Sequence, residues 1–155
     1  MSVDARIALL VGALELDVGL ALEPGELLAL LGPNGSVKST ILRCLAGLAP
    51  IDDGRITIDE VVVDEPRTGT FVEPEDRSVG FVFQSYLLFE HMSVLENVAY
   101  GLRSRKRPKA DARRRAQHWL ERVGLGEYAH ERPRALSGGQ AQRAALARAL
   151  ATDPR

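Results

Sequence analysis

Cysteine occurs once in this chain, at Cys44, and aromatic residues make up only 5% of its 155 positions. A single thiol excludes an intrachain disulfide and suits a reducing compartment. Inside an apolar run, Cys44 reads as a small buried hydrophobe. No Phe, Trp, Tyr or His precedes Phe71, so the first 70 residues offer no ring on which a base could stack. Long apolar runs are missing as well. No stretch approaches the roughly 18 residues needed to cross a bilayer, and Met1-Ser2-Val3-Asp4 does not open a secretory leader. Any association with a membrane is therefore expected through a partner. Finally, there is no charge excess. Twenty Lys and Arg against 21 Asp and Glu leave a formal charge of −1, which argues against non-specific nucleic-acid binding as the main role.

What is present is enough apolar content, 45%, for one globular core. There is no internal repeat, and no low-complexity tract beyond an alanine-rich end. The most informative segment is Gly32-Pro33-Asn34-Gly35-Ser36-Val37-Lys38-Ser39-Thr40, which lies between a strand-like apolar run at 27–31 and a helix-like run at 41–48. That context is the one in which G-x-x-x-x-G-K-S/T wraps phosphates. Backbone N–H groups at a helix N-terminus hold an anion, Lys38 reaches the outer phosphates, Ser39 offers its hydroxyl to Mg²⁺, and Thr40 donates near the inner phosphate. Val37 stands where the pattern has its second glycine. A β-branched residue there is expected to strain the loop by roughly 1–3 kcal/mol and to weaken nucleotide binding about a hundredfold. The bland alternative is an ordinary strand, turn and helix.

A second segment, Leu136-Ser137-Gly138-Gly139-Gln140, precedes the alanine-rich helix. Ser137 and Gln140 have the spacing of a capping box. A cap does not account for two adjacent glycines in a helical first turn, each unfavourable by about 1 kcal/mol against alanine. Bare N–H groups, a hydroxyl and the helix dipole there make a second anion site. Between the two segments, Ser78-Val79-Gly80-Phe81-Val82-Phe83-Gln84 reads as a buried strand delivering Gln84 to a loop.

These three segments, in this order, resemble the ATP-binding cassette (ABC) family, and the resemblance runs from about Leu14 to the end of the chain. It implies an α/β fold: a P-loop NTPase of the ABC ATPase type, with an antiparallel β subdomain and a helical subdomain. Residues 1–84 would be the β subdomain and phosphate-loop core, 85–136 the helical subdomain and 137–155 the signature helix. The text around Gln84 is similar to importer-type ATPases, closest to subunits serving oxyanions such as molybdate or sulfate.

The resemblance also implies roles. ATP and Mg²⁺ would sit on residues 32–40, with Ser39 and Gln84 near the metal and Gln84 sensing the attacking water. Two subunits would face each other head to tail as a homodimer, so that Ser137, Gly138, Gly139 and Gln140 close over the partner's nucleotide. Residues just after Gln84, to about Tyr100, would receive a transmembrane permease, itself served by a solute-binding protein. The subunit would then lie on the cytoplasmic face of the plasma membrane, with no role for nucleic acid.

The chain departs from the family's pattern in ways that bear on catalysis. The family's Asp-Glu strand and switch histidine come after the point where this sequence stops, so it reads as truncated before that strand. An alternative function is therefore a pseudo-ATPase able only to dimerise or dock. His91, His118 and His130 lie upstream and read as solvated or partly packed. An aliphatic contact from residues 7–14 would replace adenine stacking. Glu60 sits where the turn after Ile58-Asp59 favours Gly, and Glu90 where Pro often stands. Elsewhere, residues 6–22 are expected to form antiparallel strands, 54–59 and 61–63 a hairpin, and 109–123 a helix started by Pro108. The run from Arg103 to Arg115 reads as a solvated basic face, with anionic lipid or an acidic partner as the other readings. Trp119 is expected in the core.

Overall fold

The computed structural model describes residues 1–12, 14–32 and 37–154. Two compact units divide the chain, residues 1–79 and 80–154.

The first unit is built on an antiparallel sheet. β1 (Val3–Val11) and β2 (Leu14–Leu22) form the expected hairpin, pairing Val3 with Leu22 and Val11 with Leu14. β3 (Asp53–Ile58) and β4 (Val61–Glu65) form the second hairpin, and β5 (Thr70–Phe71) adds a short edge. The sheet order is β2-β1-β3-β4-β5. Alternation places Val3, Ala5, Ile7 and Leu9 of β1 on one buried face. They meet Ile56, Ile58 and Val63 from the sheet and Ile41 and Cys44 from α1 (Lys38–Leu45). The β3–β4 turn is made by Asp59 and Glu60, at φ 47° and 66°. Both are left-handed, as a two-residue hairpin turn demands, and Glu60 holds the place that glycine would take at lower cost.

Two expected strands are absent. Residues 27–31 and 78–83 carry strand-like apolar sequences, yet neither forms a strand, and no described strand pairs with them. A strand is stable only when its N–H and C=O groups find neighbours. Leu27 and Leu31 are left 94% and 91% exposed.

The second unit is helical: α2 (Val94–Ser104), α3 (Lys109–Arg122) and α4 (Gly138–Ala151). Pro108 is the N-cap of α3, and Ser93 caps α2 by accepting from the Glu96 N–H at 3.2 Å. Their apolar stripes converge on a core of Val98, Leu102, Ala116, Leu120 and Leu125 with Ala144, Ala147 and Ala151. Small residues let α4 come close. Trp119 is half-buried against this core rather than enclosed by it, with the Arg122 guanidinium 4.7 Å over its ring.

Candidate nucleotide and signature sites

In the first unit, α1 begins at Lys38 with Val37 as its N-cap. Of the loop residues, Pro33, Asn34, Gly35 and Ser36 lie outside the described residues, while Gly32 and Val37 to Thr40 are described. Val37 has φ −68° and ψ 3° and packs partly buried against the sheet core. The negative φ overturns the expected left-handed strain, since it lies on the side of the map open to a β-branched residue. Among the described residues no side chain caps α1, and its first turn holds no acidic residue, so the positive end of its dipole suits an anion. Lys38 Nζ donates to the Gly32 carbonyl at 2.8 Å. Ser39 is exposed beside it. This donor set fits a polyphosphate.

The other end of α1 is held by a residue that no local pattern marked. Arg77 is fully buried, and its Nη1 donates to the Cys44 and Leu45 carbonyls at 2.7 and 3.1 Å. Its Nε donates to the Val72 carbonyl at 2.8 Å and its Nη2 to the Val63 carbonyl at 3.1 Å. Asp64, also buried, lies 3.8 Å from Nη2 and accepts from the Ile51 N–H at 3.3 Å. Burial pushes the Asp64 carboxyl above its usual range, and the Ile51 N–H and Arg77 offset this only in part. Burial likewise lowers Arg77, though a guanidinium stays charged. Cys44 is buried as expected, and burial raises its thiol.

In the second unit, Gln84 is exposed in a turn. The segment that follows is tightly held. Arg148 of α4 donates to the Tyr86 and Leu87 carbonyls, and Asn97 of α2 brackets Phe89. The fully buried Asn97 accepts from the Phe89 N–H at 2.7 Å and donates to the carbonyls of Phe89 and Ser93, each at 3.0 Å. Phe89 leans on Tyr100 at 4.7 Å. A cleft of about 180 Å³ lies between residues 85–90 and the group Pro133, Arg134 and Ala141, and the ion pair of Glu90 with Arg134 joins its two walls.

Ser137 and Gln140 form the capping box. The Ser137 N–H donates to Gln140 Oε1 at 2.8 Å, and the Gln140 N–H donates to Ser137 Oγ at 3.3 Å. Ser137, Gly138 and Gly139 are exposed, and a Cβ on either glycine would meet nothing within 4 Å. Packing among the described residues gives no reason for glycine here.

The basic run is largely paired within its own unit. Glu96 takes both Arg103 and Arg113, at 2.8 and 2.5 Å, while Arg114 meets Asp111 and Arg115 meets Asp153. Burial alone would raise Glu96, but hydrogen bonds and charge from Arg113 and Arg103 hold it below the ordinary carboxylate range. His91, His118 and His130 are exposed. Among the described residues no three His, Cys, Asp or Glu groups converge to hold a metal, and no helix is long and apolar enough to cross a membrane.

An antiparallel β unit carrying a phosphate-loop helix, and a helical unit ending in a glycine-opened capped helix, define an ATP-binding cassette. The sequence profile of the ABC transporter family matches residues 16–155, and the chain belongs to that family. The chain is 54% identical over 138 residues to the sulfate/thiosulfate import ATP-binding protein CysA of Nocardia farcinica, covering 89% of the chain and 40% of that protein. It is 50% identical over 138 residues to the Fe(3+) ions import ATP-binding protein FbpC of Agrobacterium fabrum, covering 89% of the chain and 37% of that protein. It therefore spans about 40% of the length of these curated relatives. Among solved structures it is similar to an ATP-binding cassette dimer in a post-hydrolysis state bound to ADP and Pi. That match has a TM-score of 0.80 and 31% identity, and covers 98% of this chain and 70% of the other.

Proposed function

We propose that this chain is the ATP-binding portion of an ABC importer's ATPase subunit. In this reading Gly32 to Thr40 bind the phosphates of ATP, the N–H groups of α1 and Lys38 supplying the positive field. Lys38 would leave the Gly32 carbonyl for the outer phosphates. Ser39 would offer its hydroxyl to Mg²⁺, and the likeness to the family assigns Gln84 to the same ion. Mg²⁺ supplies charge neutralisation to the β- and γ-phosphate oxygens when bound. Val37 keeps a negative φ, which glycine is not needed to supply. Among the described residues expected to replace adenine stacking, Leu10 and Leu14 are exposed large hydrophobics.

One observation carries the reading: Gly138 and Gly139 open the N-terminus of α4 onto empty space. Two glycines that no contact within the chain requires make room for something outside it. We assign that something to the nucleotide held on a second subunit, so that Ser137 to Gln140 act in trans and the working unit is a homodimer. The cleft beside residues 85–90 is assigned to a transmembrane permease, which would hold the subunit at the cytoplasmic face of the membrane and receive its cargo from a solute-binding protein. The cargo in this reading is an oxyanion of the sulfate class, following the 54% identity to a sulfate/thiosulfate import protein. Molybdate, another tetrahedral dianion, is the alternative cargo.

The test is titration of a fluorescent ATP analogue with Mg²⁺. Lys38→Ala should weaken binding at least about tenfold, the loss of more than one charge-assisted hydrogen bond. Ser137→Arg should leave this binding unchanged and prevent nucleotide-driven dimerisation, read by light scattering. Equal affinity in the Lys38 variant would overturn the nucleotide assignment, and equal loss in both variants would overturn the trans assignment.

A further inference from the structure

Tyr86 and Leu87 adopt a conformation that neither residue type favours, with φ 59° and 43°. Tyr86 is the middle of a three-residue turn in which the Leu87 N–H donates to the Ser85 carbonyl at 2.7 Å. A γ-turn with positive φ is a strained form of turn. Such a conformation persists only where its surroundings over-determine it.

Arg148 provides that determination. From α4 it donates Nη1 to the Leu87 carbonyl at 2.6 Å and Nη2 to the Tyr86 carbonyl at 2.7 Å. Its guanidinium also lies 5.6 Å over the Phe89 ring. One rigid planar fork thus takes both carbonyls of the strained pair, a geometry that a lysine's single ammonium does not reproduce. Arg148 lies eleven residues from Ser137, about 16 Å along one continuous helix.

We propose that Arg148 is a positioning residue, whose fork holds the left-handed turn at Tyr86 and Leu87 and ties the segment after Gln84 to the helix that begins at Ser137. Movement of the loop then displaces the helix, and movement of the helix displaces the loop. The functional meaning of this link rests on the roles proposed above for Gln84 and Ser137. The clamp itself does not.

Hydrogen exchange read by mass spectrometry on the full chain tests it. In Arg148→Lys and Arg148→Met, exchange at Tyr86 and Leu87 should accelerate at least about tenfold. The Phe89 N–H, held by Asn97, and the α2–α3 core should keep their rates. Adding Tyr86→Gly and Leu87→Gly to Arg148→Met should restore part of the lost protection, because glycine needs no fork to hold a positive φ. Should Arg148→Met fail to fold, Arg148→Lys carries the same comparison, since it keeps the charge and the stem. Unchanged exchange at residues 86 and 87, or acceleration spread evenly over all three helices, would overturn the proposal. MgATP provides a separate arm. In wild type it should slow exchange at Gly139 and Gln140 and at Tyr86 and Leu87 together, and in Arg148→Lys only at the former. If MgATP changes nothing in any variant, the nucleotide reading fails, while the exchange rates without nucleotide still decide the clamp.

Discussion

Arg77 Nη1 donates to the carbonyl oxygen of Cys44 at 2.7 Å, so a buried cation from the segment after β5 closes the C-terminal end of the phosphate-loop helix. The last carbonyls of a helix have no partner within it and carry the negative end of its dipole. Arg77 satisfies two of them and is fixed in turn by Val63, Val72 and Asp64. The helix is thus pinned at the end remote from Lys38, the end opposite the one proposed to meet phosphate.

Gly47 is where this arrangement is least forgiving. Its φ is +76°, and a Cβ there would lie 2.6 Å from Nε and 2.9 Å from Cζ of Arg77. Four carbonyls pin that guanidinium, so it cannot swing aside. Gly47→Ala should destabilise the protein by about 2–4 kcal/mol through backbone strain and disrupted hydrogen bonds. Urea denaturation should show a lower midpoint with an unchanged slope.

Val37→Gly should do little. With φ already at −68°, the substitution relieves no backbone strain. Stability should change by no more than about 1 kcal/mol, and affinity for a fluorescent ATP analogue by less than about tenfold, in place of the hundredfold gain that the glycine pattern alone implies.

Glu96 should contribute a pH-dependent stability. Its folded pKa is lowered, so the stabilisation is fully present above the ordinary carboxylate range near 4.3 and is lost as pH falls through the lowered value. Glu96→Gln should cost about 1–2 kcal/mol at pH 7 and flatten the thermal midpoint against pH below about 5.

Asn97→Leu keeps the volume but leaves the N–H and C=O of Phe89 without their partner. The expected loss is about 2–3 kcal/mol, with faster exchange of the Phe89 amide and no comparable change at Tyr86 and Leu87.

What could be read from the sequence was local. The Ser137 and Gln140 box depends on residues three apart, the β1–β2 and β3–β4 hairpins on alternation around short turns, and α3 on a proline start followed by Ala112, Ala116 and Leu120 at a spacing of four. Each signal lies within one element, and each element forms. Residues 27–31 and 78–83 carry equally apolar patterns, but a strand is completed by its neighbours, and no described strand pairs with them. Arg77 and Arg148 were invisible for a related reason. Each is defined by carbonyls far away in sequence, 33 residues from Arg77 to Cys44 and 62 from Arg148 to Tyr86. A backbone carbonyl carries no residue-type signature. The ordinary φ of Val37 was hidden as well, because a motif records which residue is customary and not which dihedral angle the position has.

The empty space around Gly138 and Gly139 separates two kinds of selection. In a survey of substitutions scored by folding alone, both positions would tolerate alanine and even gain from it, since alanine is the better helix former and meets no neighbour there. Scored by nucleotide-driven dimerisation, the role proposed for Ser137 to Gln140, the same positions should be among the least permissive in the chain. The gap between the two scores, residue by residue, would draw the outline of the surface proposed to meet the second subunit's nucleotide.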